Sequence, residues 1–93
     1  MKLIKTTGNF RRDVMLAFQE VDEEVARAIE LFPEMRVPHE GYAVIHEELD
    51  ELWEVVKQKN KRRDGTGGQD KSAMRHESMQ VAAMAIRFMI ELT

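Results

Sequence analysis

Glu48 and Glu51 stand three residues apart, and so do Glu77 and Gln80. On a helix that spacing is close to one turn, so the members of each pair point the same way. Two such pairs on facing helices would bring three carboxylates and an amide oxygen into one cleft. Like charges that close cannot all ionise unaided. A divalent cation resolves the conflict, and hard oxygen donors favour Mg²⁺ or Mn²⁺ over zinc. Magnesium commonly takes a few carboxylates together with the phosphate oxygens of a substrate. Such a site polarises a phosphoryl oxygen and can activate a water for attack.

The elements that must position these groups read as helices. From Ile45 to Val56 the sequence is IHEELDELWEVV, with Glu47, Glu48, Asp50 and Glu51 packed closely together. At about 100° per residue, Ile45, Leu49, Leu52, Trp53 and Val56 form one apolar arc. Glu47, Asp50 and Glu54 fall on the opposite face, where acidic residues are ordinarily just solvated. Glu48 lies inside the apolar arc and Glu51 at its edge. Glu77 lies between Met84 and Phe88 on the wheel of the last helix. An ionised carboxylate facing a core is costly unless something pairs with it.

The first helix is expected from about Phe10 to Leu31. Its apolar positions Phe10, Val14, Ala17, Phe18, Val21, Val25, Ala28 and Ile29 recur mostly at threes and fours. Pro33 ends it, and Pro38 holds Val37 extended. The second helix starts near His39 or Glu40 and runs to about Lys59. The glycine-rich stretch NKRRDGTGGQD reads as a loop, after which Asp70 or Ser72 caps a third helix. That helix is apolar almost all round from Val81 to Leu92, and three helices cannot surround it. A two-fold partner is the simplest cover. The expectation is a single all-α domain over residues 1–93: an antiparallel hairpin or bundle of three main helices, completed by dimerisation.

Composition narrows the class. The chain has 93 residues, 17 acidic and 14 basic, for a net charge of −3. That balance lacks the basic excess of a nucleic-acid binder. There is no cysteine, so disulfides and thiolate zinc sites are excluded. No apolar run approaches the ~20 residues of a membrane span, and the start lacks a signal-peptide apolar region. A soluble cytoplasmic protein without membrane or nucleic-acid partners is expected.

The residues Glu47-Glu48-x-x-Glu51, followed after a spacer by Glu77-x-x-Gln80, resemble the EExxE…ExxD signature of the MazG-like all-α nucleoside triphosphate pyrophosphohydrolases. The strings HEGYAVIHEELDELWEVV and QVAAMAIRFM are similar to a branch of that superfamily, and the resemblance extends over most of the chain. It implies cleavage of a nucleoside triphosphate, ribo or deoxy, between the α and β phosphates. The products would be the monophosphate and pyrophosphate, in a Mg²⁺-dependent housecleaning reaction. It further implies that Glu48, Glu51 and Glu77 hold the metal, and that Glu47 acts nearby or as a base through water. Bundles completed as homodimers or homotetramers are implied too. The resemblance departs at Gln80, where the family has Asp. The amide oxygen can still coordinate, with one negative charge fewer.

Other residues extend the candidate site. Trp53 can stack on a base or pack against the core. Arg62 and Arg63, in the basic run before the glycines, can meet phosphate, as can Arg75; a solvated loop or a pairing with a neighbouring Glu would serve equally. His39, His46 and His76 lack metal-ligand spacing and read as structural. Two rival readings stay open. One is a catalytically weak or inactive nucleotide binder, favoured by Gln80. The other is a helical dimerisation module without small-molecule chemistry, which leaves Glu48 and Glu77 without a purpose.

Overall fold

The computed structural model describes residues 8–58, 68 and 70–93. Three helices account for nearly all of them: α1 (Gly8–Leu31), α2 (Pro38–Lys57) and α3 (Lys71–Leu92). The expected boundaries hold to within about two residues, because the local signals are strong. Val37 precedes α2 at φ −138° and ψ 151°, the extended backbone that a following proline enforces, and Pro38 opens the helix. At the head of α3 the Asp70 carboxylate accepts a hydrogen bond from the Ala73 N–H at 3.0 Å, satisfying one of the otherwise unpaired first-turn donors.

The third helix is the shared surface. It packs against both α1 and α2, while α1 and α2 make no comparable approach to each other. The buried core is small: Val25 and Ala28 from α1, Met35 from the linker, and Ala83 and Met84 from α3. Val21, Val44, Ile45, Ile86, Phe88 and Leu92 pack around it, half-buried.

Gly41 sets the spacing of α2 and α3 at one end. A Cβ there would lie 2.5 Å from Leu92 Cδ1 and 2.6 Å from Phe88 Cδ2, well inside van der Waals contact. The absent side chain lets both apolar groups lie against the α2 backbone.

A buried ion pair ties the linker to the end of α3. Arg87 donates to Glu91 Oε2 at 2.6 Å and Oε1 at 2.8 Å, and to the Pro33 carbonyl at 2.8 Å. Glu91 Oε1 in turn accepts from the Met35 N–H at 3.0 Å. These bonds, the Arg87 guanidinium first, hold the Glu91 carboxyl below the usual range.

Several apolar residues expected to face inward do not. Phe18 and Ile29 on α1, and Leu49 and Trp53 on α2, are exposed, as are Met89 and Ile90 on α3. The reason is geometric. A helix wheel reports that a face is apolar but not that a neighbour covers it. Here α1 and α2 each have one neighbour, α3, so each buries one side.

Two stability outcomes are expected in thermal or urea unfolding. Gly41→Val forces Phe88 and Leu92 outward and destabilises by about 1–3 kcal/mol. Arg87→Met strands Glu91 beside the linker and costs about 3 kcal/mol or more.

Candidate functional site

Glu48 and Glu51 project from α2, and Glu77 from α3. One carboxylate oxygen from each lies within 4.8 Å of the other two. The helices thus bring three of the four expected donors together. Glu51 is exposed, whereas Glu48 and Glu77 are half-buried, as expected for residues that interrupt apolar arcs.

The cluster is strained electrostatically. Burial raises the Glu48 pKa to about 7, with repulsion from Glu51, a hydrogen bond shared with Glu51, and the charges of Glu77 and Glu47 adding to it. Glu77 Oε2 is buried and has no hydrogen-bond partner among the described residues. A buried oxygen of this kind is normally satisfied by a protein donor, a water or an ion. The donor set is all oxygen, which suits a hard divalent cation.

The trio lines a cavity of about 410 Å³, within the ~300–1,000 Å³ usual for small-molecule sites. Its apolar lining comes from Phe32, Pro33 and Met35 of the linker with Val44 and Met84. Gln80 also lines it, and Arg27, His76 and Arg87 add basic groups. The Arg87–Glu91 pair therefore fixes the linker that lines part of this cavity.

The remaining candidates sit as follows. Glu47 is exposed on α2 and contributes only repulsion to Glu48. Gln80 faces the cavity, and its amide is also a hydrogen-bond donor toward Glu24. Arg75 pairs with Glu20 of α1 at 3.0 Å, in a hollow beside the main cavity that Arg27 and His76 share. Trp53 is exposed and outside the cavity lining. His46 lies 3.4 Å from Asp50 and stacks on Tyr42, and His39 is exposed without capping α2. Arg62 and Arg63 lie outside the described residues.

Sequence reasoning missed Glu24 and Arg27. Glu24 is buried, and Arg27 donates to both its oxygens, at 2.8 and 2.6 Å. Those bonds lead the causes that hold the Glu24 carboxyl low, with Gln80 a lesser donor. A signal was present: on the wheel Glu24 lies beside Ala17 and Ala28, at the edge of the apolar face of α1. It also missed the linker wall, which carries no periodicity to read. No protein-family model, curated protein or solved structure matches the chain.

The raised Glu48 pKa has a signed consequence. The folded state holds a proton that the unfolded chain releases near pH 4.5. Without metal, this group's contribution to stability therefore declines as pH rises from about 4.5 through about 7. Glu48→Gln removes the declining part and stabilises the metal-free protein at pH 8 by roughly 1 kcal/mol, allowing for solvent screening. Unfolding curves at pH 5 and pH 8, for both forms, check this; equal pH dependence in the variant would remove Glu48 as the cause.

Proposed function

We propose that the chain is a Mg²⁺-dependent nucleotide pyrophosphohydrolase, with Mn²⁺ as an alternative metal, acting on a ribo- or deoxynucleoside triphosphate in the cytoplasm. One observation carries this reading. Three carboxylates from two helices converge on a cavity, and one of them keeps a buried oxygen with no hydrogen-bond partner among the described residues.

A bound divalent cation would supply charge neutralisation at a phosphoryl oxygen and a more acidic water. The chain's own residues divide the remaining work. Glu48, Glu51 and Glu77 hold the cation, with the Gln80 amide oxygen as a neutral fourth donor. Glu47, next to Glu48 and open to solvent, takes a proton from the attacking water. Arg27 and His76 on the cavity lining balance phosphate charge, and Phe32, Met35 and Met84 offer apolar surface to a base. Arg75 becomes available to phosphate if it exchanges Glu20 for the ligand.

Two architectural features belong to the same proposal. The second and third helices run antiparallel. In support, Gly41 near the start of α2 lies against Phe88 and Leu92 near the end of α3, while Glu48 and Glu51 further along α2 meet Glu77 near the start of α3. The functional unit is a homodimer or a higher homo-oligomer. In support, the core of one chain holds no large fully buried side chain, and large apolar residues stay exposed on all three helices.

A second reading, a nucleotide binder that cleaves weakly or not at all, is favoured by Gln80. Its amide supplies no charge and is drawn toward Glu24.

Pyrophosphate release from a panel of ribo- and deoxynucleoside triphosphates, with Mg²⁺, Mn²⁺ or chelator, separates the readings. Chelator-sensitive release with a monophosphate product, lost in Glu48→Gln and Glu77→Gln, is the expected result. Gln80→Asp restores a charge and tightens Mg²⁺ binding by about tenfold. No release from wild type or from Gln80→Asp would leave the non-cleaving reading, provided nucleotide still binds.

A further inference from the structure

The first helix carries a second apolar stripe that α3 does not touch. Arg11, Met15, Phe18 and Asp22 follow one another at intervals of four, three and four, so they form one line along the helix. That line lies about a quarter turn from the Val21, Val25 and Ala28 face that packs against α3. Met15 is 67% exposed and Phe18 69%, more than any other large apolar residues described. A shallow groove runs along them, with Arg11 toward one end and Asp22 toward the other. Among the described residues neither the Arg11 nor the Asp22 side chain forms an ion pair or a hydrogen bond.

The charges decide what fits. We propose that a second copy of this chain seats on the stripe, α1 against α1 and antiparallel, about a two-fold axis between Leu16 and Ala17. In that register Arg11 faces the partner subunit's Asp22, and Met15 faces the partner subunit's Phe18. The two-fold axis makes each contact occur twice, as an isologous interface requires. A parallel pairing would set arginine against arginine and aspartate against aspartate, which opposes association. The stripe is thus complementary to itself in one direction only. The exposed line Tyr42, His46, Leu49 and Trp53 on α2 has similar spacing but no opposite charges at its ends to fix a direction.

This inference rests on the oligomer half of the proposed function and is independent of its chemistry. Sedimentation equilibrium of the full chain, over a range of protein concentrations, tests it. The variants are Arg11→Glu, Asp22→Arg, the two combined, and Phe18→Ser; all three positions are exposed, and helix content by circular dichroism verifies folding. The wild type is expected to dimerise. Each single charge reversal, and Phe18→Ser, should weaken the dimer about tenfold or more, and the combined reversal should regain most of that loss. A monomeric wild type would overturn both this inference and the oligomer reading. A dimer indifferent to all the α1 variants would overturn this face alone, and its disruption by Leu49→Glu would transfer the interface to α2. A combined reversal as weak as the single ones would overturn the antiparallel register.

Discussion

Mutual repulsion among Glu48, Glu51 and Glu77 is the constraint around which this fold is arranged. The three groups would separate if the seam between α2 and α3 could open. It is held closed elsewhere along its length. Phe88 and Leu92 lie directly on the backbone at Gly41, and Val44, Ile45, Ile86 and Met84 join the same core. The apolar contacts that close the seam therefore also hold the carboxylates together. Crowded acids maintained by packing favour whatever cation relieves them, and the relief is greatest where the oxygens are driest.

Around that seam the basic groups are sorted into pairs. Arg27 is bound to Glu24, Arg75 to Glu20 and Arg87 to Glu91. The second is half-exposed on both sides and can exchange partners at modest cost; the first is half-exposed on its arginine side only, and releasing it leaves the buried Glu24 unpaired. The third is buried on both sides and is fixed. Position thus separates an arginine that can respond to an anionic ligand from one that holds a wall in place.

Much of this was legible in the amino-acid sequence. Three apolar periodicities, Pro38 after Val37 and the cap at Asp70 located the helices. Glu48 and Glu77 were legible as candidates because each interrupts its own apolar arc. What stayed hidden depends on which surfaces meet. The wheel placed Phe18, Ile29, Leu49 and Trp53 on apolar faces, but only the tertiary arrangement shows that α3 leaves them uncovered. Glu24 borders the apolar face of α1, with Glu20 one turn before it, and its burial comes from tertiary contacts that the wheel does not show. The linker wall had no periodicity at all. Its shape comes from Arg87 and Glu91, more than fifty residues further along the chain.

The bonds that anchor α1 and its linker to α3 share that remoteness. Glu20 to Arg75, Pro33 to Arg87 and Met35 to Glu91 span 55, 54 and 56 residues. Closing a loop of that size costs on the order of 3–4 kcal/mol of chain entropy before any contact repays it. Pairing α2 with α3 closes a much shorter loop. The two helices that carry the carboxylates can therefore associate early, with α1 joining afterwards. The acidic cluster would then take shape while the helix that supplies Glu24 and Arg27 is still undocked. For a nascent chain, the half of the molecule that carries the three carboxylates precedes the half that packs beside it.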